Sequence, residues 1–162
     1  MVAVRPMRPD DIAAVLRLQR AAYGDAYQES AAVLLDKLAQ GPAFCRMACE
    51  GEAILGYVLA HPWALDVVPP LHRAMALPAP ADAVFVHDLA IAPSAQGRGV
   101  GRRLADAVSA SAGTRFAHMA LVALDEAVAF WQALGFVPRA PGNALAGYGA
   151  GARYMVRSLL SD

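Results

Sequence analysis

Long apolar runs are missing from this sequence, and so is any excess of charge of one sign. No stretch approaches the ~20 consecutive apolar residues that a membrane-crossing helix needs. The opening MVAVRPMRPDD has no apolar h-region of a secretory signal. A cytoplasmic protein without a membrane partner is the expectation. Lys+Arg and Asp+Glu number 14 each, so the formal net charge is zero. With no basic field and no block of like charge, no nucleic-acid partner is expected. Cysteine is scarce, being confined to Cys45 and Cys49. Four residues of strand separate them by about 13 Å, beyond the reach of a disulfide. With no histidine nearby they make no zinc site, and no metal is expected. What is abundant is apolar surface, 57% of residues against 17% charged, much of it alanine. That balance excludes disorder, and the length suits one domain, residues 1–162, with a core of its own.

No internal repeat is present. Residues 2–6 read as a short strand. Asp10 or Asp11 is placed to cap a helix whose apolar face is Ile12, Val15, Leu16 and Leu18. A second helix over 30–40 carries Val33, Leu34 and Leu38 and ends at Gly41-Pro42. Strand-like runs at 43–50 and 53–61 flank a hairpin turn at Glu50-Gly51-Glu52. The Pro/Ala-rich stretch 62–82 lacks periodicity and reads either as a flap or pocket wall, or as a surface excursion. AVFVHDLAI at 83–91 is the clearest strand. A helix over 99–112 follows, with Leu104, Ala107, Val108 and Ser111 as its inward stripe, and then a strand at 115–124. Asp125 is placed to cap a helix bearing Ala127, Phe130, Trp131 and Leu134, which Gly135 ends. Strands at 136–139 and 152–159 close the chain. Strands and helices alternate only in the second half, which points to a mixed sheet with helices on its faces.

The segment APSAQGRGVGRR (residues 92–103) lies between a strong strand and a strong helix. Small residues let successive backbone N–H groups converge on an anion, and a helix N-terminus adds partial positive charge. Arg98, Arg102 and Arg103 would add charge-assisted contacts. The glycines at 97, 99 and 101 do not fit the dinucleotide spacing, since Arg102 holds the sixth place, and the Gly-Lys-Ser/Thr of a Walker A loop is absent.

Gln96, Gly99 and Gly101 match the Gln/Arg-x-x-Gly-x-Gly/Ala motif, and this turn resembles the cofactor loop of the GNAT superfamily of N-acetyltransferases. VHDLAIAP (86–93) resembles the strand that precedes that motif, and AVAFWQALGF (127–136) resembles the family's later helix. The match is most specific over residues 83–137. The resemblance implies an α/β (α+β) fold, a mixed and mostly antiparallel twisted sheet of six to seven strands with about four helices. Splayed central strands would hold acetyl-CoA as cosubstrate. By similarity, the backbone of Leu89, Ala90 and Ile91 would pair with the pantetheine arm, while Gln96, Gly97, Arg98, Gly99, Val100, Gly101 and Arg102 would hold the pyrophosphate. Asp125 stands where the family often has a cofactor-contacting asparagine, and Phe130 and Trp131 would border the cofactor.

The implied activity is acetyl transfer to a primary amine of a small molecule or peptide, by direct attack on the thioester, in a protein that forms a homodimer in many relatives. Trp131 replaces the tyrosine that many members use as general acid, and indole cannot supply a proton. Tyr148 and Tyr154 are the alternative acids. Residues 119–124 hold no carboxylate to act as base. His87 and Asp88 are therefore the candidate bases, a histidine's ordinary titration range suiting proton removal near neutrality. Alternation places only one of the two on the cleft face unless a bulge intervenes. His61 and His118 read as structural or exposed, and Trp63, Tyr23 and Tyr27 either pack or line an acceptor pocket. The missing tyrosine leaves open a non-catalytic acyl-CoA-binding or regulatory module. A toxin acetylating aminoacyl-tRNA is disfavoured by the neutral charge.

Overall fold

The computed structural model describes residues 1–70, 80–113, 115–143, 145 and 148–160. Among these, period-two apolar segments form β1 (Ala3–Pro6), β2 (Arg46–Glu50), β3 (Ala53–Trp63), β4 (Ala83–Ile91), β5 (His118–Ala123), β6 (Val137–Pro138) and β7 (Arg153–Ser158). Segments of helical period form α1 (Ile12–Tyr23), α2 (Ala31–Gln40), α3 (Val100–Ala112) and α4 (Val128–Ala133). The strands make one mixed sheet in the order β1-β2-β3-β4-β5-β7-β6. Every neighbouring pair is antiparallel except β4 and β5, which α3 joins as a parallel crossover.

Several helix starts differ from the sequence expectation. Neither Asp10 nor Asp11 caps α1 with its side chain, because the chain first makes a 3-10 turn at Pro9–Asp11. Asp11 instead grips Arg5 on β1 through two 2.8 Å bonds and accepts from the Arg8 backbone N–H. Asp125 likewise begins a 3-10 turn, Asp125–Ala127, and caps nothing. Ser30 does cap α2, its hydroxyl accepting from the Val33 N–H at 3.2 Å. β2 begins at Arg46 because Pro42–Phe44 form another 3-10 turn.

Helix α3 packs Val100, Leu104, Ala105, Val108 and Ala112 onto one face of the sheet, and Ala107 and Ser111 flank this stripe half-buried. Leu104 is fully buried, so truncation to alanine would cost about 2–5 kcal/mol. Trp131, Leu134 and Phe136 extend that layer. The α4 end is a Schellman turn, with the Phe136 N–H donating to the Trp131 carbonyl at 3.1 Å and Gly135 N–H to Gln132 at 3.0 Å. The opposite face is covered by α1 and α2 through Ile12, Val15, Leu34 and Leu38 against Met47, Tyr57 and Leu59. Both cysteines are buried free thiols. No helix among the described residues is long and apolar enough to cross a membrane.

Residues 64–70 are stitched to the segment before β7. Asp66, in the left-handed region at φ 68°, receives Gly142 N–H on its carbonyl at 2.6 Å and Arg139 on its carboxylate at 2.6 Å. Asn143 exchanges two bonds with the Val68 backbone. The first part of the 62–82 stretch is thus fixed to the segment before β7; residues 71–79 lie outside the described residues.

His61 is fully buried on β3, with its Nδ1 2.9 Å from the Pro62 carbonyl and its Nε2 buried without a hydrogen-bond partner. Burial drives its pKa down to about 3. The unfolded chain takes up this proton near pH 6.5 and the folded chain only near 3. Stability is therefore intact above pH 6.5 and falls by about 1.4 kcal/mol per pH unit as pH drops through that window. Denaturant titrations between pH 7 and pH 4 should show this slope, and His61→Phe should flatten it; an equal slope in the variant would refute the assignment.

Candidate active site

Strands β4 and β5 pair only from Val84–Met119 to Val86–Leu121, after which they part. β4 continues to Ile91 along β3, and β5 continues to Ala123 along β7. Ala92 N–H donates to the Leu55 carbonyl at 2.8 Å, on the β3 side. Alternation then turns the backbone groups of Ala90 to β3 and those of Leu89 and Ile91 into the gap. Of the three residues named from sequence, two face the gap and Ala90 does not. The Leu89 carbonyl already accepts the Tyr23 hydroxyl at 2.6 Å.

A cavity of about 470 Å³ opens where the strands part. Leu89, Leu121, Val122, Phe130 and Trp131 line it, with Gln96 from the glycine turn at its edge. Gly97 and Gly99 take φ of 79° and 76°, with nothing within 4 Å of where a Cβ would stand. Only glycine adopts this turn without strain, and it leads into the N-terminus of α3, whose cap is Gly99. A Cβ on Gly101 would meet the Phe130 ring at 3.0 Å, so α3 and α4 approach closely beside the cavity. Arg98 is tied to Glu50 at 2.8 Å, Arg103 to the Val2 carbonyl at 2.6 Å, and Arg102 is exposed. Val100 is buried in the core, so only its backbone is left for a ligand. Asp125 stands against Gly151, where a Cβ would come within 2.8 Å of it, and is not among the residues lining the cavity.

The β3–β4 register pairs Leu59 with Asp88 and the next residue, Ala60, with Val86, leaving His87 as an extra residue on β4. This bulge breaks the alternation. His87 and Asp88 consequently both line the cavity, although strict alternation would send one of them to the α3 face. His87 Nε2 lies 2.6 Å from Glu29 Oε1, with side chains only 2% and 4% exposed. Gln19 Nε2 donates to the same Glu29 oxygen at 3.2 Å and to Asp88 Oδ2 at 3.0 Å. The Tyr57 hydroxyl also donates to Asp88 Oδ2. Burial pushes the Asp88 carboxyl up, against the opposing pull of His87 and the two donors. For Glu29 burial also pushes up, but the His87 contact, Lys37 and Gln19 outweigh it, and the carboxyl ends below its ordinary range. Burial and the Asp88 charge hold the Tyr57 and Tyr23 phenols well above theirs, so both keep their protons.

The two phenols expected as acids part company. Tyr148 lines the cavity, but its hydroxyl donates to the Pro69 carbonyl at 3.0 Å, and burial raises its pKa. Tyr154 does not reach the cavity. Its ring is buried behind β5, and its hydroxyl accepts the Asp66 N–H at 2.8 Å. It points away because it sits on the β7 face that packs against Leu65 and Val68. Tyr23 and Tyr27 do line the cavity, whereas Trp63 packs edge-on against His61. Gln19, Glu29 and Tyr57 were not identified from sequence. Gln19 is the one polar residue on the buried α1 stripe Ile12, Val15, Gln19, a signal that was readable. Glu29 sits in a turn before a helix cap and Tyr57 in an apolar run, where nothing marks them. Among the described residues, no group of His, Cys, Asp or Glu could hold a metal ion.

A mixed sheet that parts beside a glycine-rich helix start is the architecture of an acyl-transfer fold. Residues 12–136 match the family model of the Acetyltransferase (GNAT) family, and the chain belongs to that family. No curated protein sequence matches it. Among solved structures it is similar to Ard1 from Thermoplasma volcanium, at 20% identity, TM-score 0.75 and 99% coverage of both chains. It is also similar to the GNAT-like decarboxylase GphF in complex with isobutyryl-CoA, at 21% identity and TM-score 0.75, covering 98% of this chain and 100% of that one. The ribosomal-protein-S18-alanine N-acetyltransferase from Escherichia coli follows at 16% identity and TM-score 0.73, covering 100% and 96%. At these identities the likeness is one of fold.

Tyr57→Phe removes one donor to Asp88 and should raise that carboxyl's pKa further, because the hydroxyl favours the charged form. A carbon-detected NMR titration of the Asp88 carboxyl reads this directly; an unchanged or lowered midpoint would mean that the hydroxyl does not hold the carboxylate.

Proposed function

We propose that this chain transfers an acetyl group from acetyl-CoA to a primary amine of a small molecule or peptide. The observation that carries the reading is the parting of β4 from β5 over a cavity that has His87 and Asp88 in its lining. The residues present fit the cosubstrate. The gap exposes the backbone of Leu89 and Ile91 to an extended arm, as an added strand would use it. The turn at 96–101 leaves open space around Gly97 and Gly99 for phosphates at the start of the 13-residue α3. Gln96, Arg98 and Arg102 border that turn, and Phe130 and Trp131 wall the cavity beside it. Asp125 plays no cofactor role in this reading.

Acetyl-CoA would bring a thioester already activated toward an amine. The chain then has to position the acceptor, take its proton and meet charge on the carbonyl oxygen. His87 takes the proton: with Nε2–H donated to the Glu29 carboxylate, the Nδ1 lone pair of the neutral ring is the base. The Ile91 N–H, facing the gap, is the donor for the oxygen. The C–N bond would form as the C–S bond breaks, and the departing thiolate would take its proton from solvent in the open gap, since the Tyr148 and Tyr23 hydroxyls that border the cavity are already donated to the Pro69 and Leu89 carbonyls. Trp131 is a wall. A purely binding module has no use for a buried His–Glu pair in its cavity, which favours catalysis.

Gly99→Glu sets a carboxylate among the phosphates, and calorimetry should show CoA affinity lower by roughly two orders of magnitude, with thermal melting confirming the fold. Unchanged affinity would sink the phosphate assignment. In an assay of thiol release, His87→Ala should lower kcat by about 10²–10⁴-fold and flatten the acidic limb of the pH–rate profile. If neither His87→Ala nor Asp88→Ala alters the profile, the base lies elsewhere.

A further inference from the structure

We infer that the acceptor is a small aliphatic amine carrying a second positive charge, and that Glu29 holds that second charge; this rests on the transfer reading above. Three carboxylates, Glu29, Asp88 and Glu126, line the cavity, and no lysine or arginine is among its described lining residues. Such a chamber repels anionic acceptors and gathers cations. A more specific observation concerns Glu29. It is 6% exposed, its Oε1 is engaged by His87 and Gln19, and its Oε2 is buried with no hydrogen-bond partner. A buried carboxylate oxygen is stable only when a donor meets it. Lys37 acts on Glu29 through its charge, but it is buried in α2 and is not a cavity-lining residue.

The donor for Oε2 is not the reacting nitrogen. That nitrogen must be neutral to attack, and a carboxylate holding it as ammonium would oppose its deprotonation. A second ammonium keeps its charge throughout and satisfies Oε2 in both substrate and product. The walls fit such a molecule. Tyr23 and Tyr27 stand edge to face at 6.3 Å, offering ring surface to methylenes and to a cation. Size is limited from above. The Tyr27 hydroxyl donates to the Tyr148 carbonyl at 3.2 Å and the Tyr148 hydroxyl to the Pro69 carbonyl at 3.0 Å, so three loops are tied together at this end of the cavity, which favours a compact acceptor over an extended peptide.

The test measures thiol release by the purified protein with acetyl-CoA and diaminobutane, aminobutanol of similar length, or a tetrapeptide with a free N-terminus. Diaminobutane should exceed aminobutanol in kcat/KM by roughly 10- to 100-fold, the value of one charge-assisted contact. Glu29→Gln slows every substrate through its contact with His87, so the readout is the ratio, which should collapse toward one. Calorimetry of diaminobutane on the CoA-loaded wild-type protein should show binding that aminobutanol lacks. A wild-type ratio near one, a ratio that survives in Glu29→Gln, or turnover of the peptide alone overturns this inference and leaves transfer standing. Tight CoA binding without turnover of any amine overturns the transfer reading as well.

Discussion

Two parallel strands that stop pairing after three residues leave main-chain donors and acceptors with no ladder partner. β4 and β5 do this beyond Val86 and Leu121, and the rest of the site follows from it. Unpaired backbone is costly when buried, so the gap has to stay open to water or to a ligand that completes the ladder. Each strand remains rigid because it is paired on its other side, β4 with β3 and β5 with β7. The opening is therefore built into the sheet. It lies beside the start of α3, because the crossover that makes the two strands parallel must leave β4 there. Cavity, glycine turn and helix N-terminus come together as consequences of one topological choice.

The bulge at His87 works at a finer scale. In an unbroken strand, His87 and Asp88 would lie on opposite faces. The extra residue brings both to the α1–α2 face, where Gln19, Glu29 and Tyr57 receive them. Charged groups leave water here at substantial cost, and only mutual hydrogen bonding offsets it. Removing one member of such a buried pair typically costs about 3–5 kcal/mol, since the other charge is stranded. A sheet selected only for stability would place apolar side chains at these positions. The cluster is a local sacrifice of stability, confined to the lining of the opening between β4 and β5.

The sequence revealed the frame well because the frame is made of local signals. AVFVHDLAI alternates, GRGVG turns, and AVAFWQALGF carries a helical stripe with its glycine stop; each element lies where its pattern placed it. The part of the site proposed for the cosubstrate is built from consecutive backbone, which a short motif can mark. The part proposed for the acceptor is assembled from side chains far apart in the chain. Glu29 meets His87 across 58 positions and Tyr57 meets Asp88 across 31, and no local spacing records such meetings. Tyr154 shows the opposite failure. Its type suited an acid, but register on β7 decides where a phenol points, and register aimed it at Asp66. The Asp125 cap failed because a 3-10 turn moved the start of α4 to Val128, whereas Asp11 does stand before Ile12 but spends its carboxylate on Arg5 and the Arg8 N–H, differences set by backbone and contact detail that propensity does not resolve.

The absence of a carboxylate on β5 and of a tyrosine at Trp131 has a common geometric meaning. In this chain most of the polar chemistry of the opening lies on β4 and on the elements that cover it, while β5 and α4 themselves contribute apolar side chains, Leu121, Val122, Ala123, Phe130 and Trp131, with Glu126 between them the cavity-lining carboxylate on that side. An opening with one polar wall and one apolar wall orients what enters it. In the proposed reaction the acyl arm, extended and largely neutral, would be accommodated along the apolar side and the exposed strand edges. The proposed charged acceptor would be drawn to the side that bears Glu29, His87 and Asp88. With His87 as the proposed base, proton removal would take place on the wall where the acceptor is held, and β5 itself would need no ionisable group. In the proposed reading a base on the β4 bulge would couple acceptor choice to proton removal, because the carboxylate paired with His87 would also hold the acceptor's second charge.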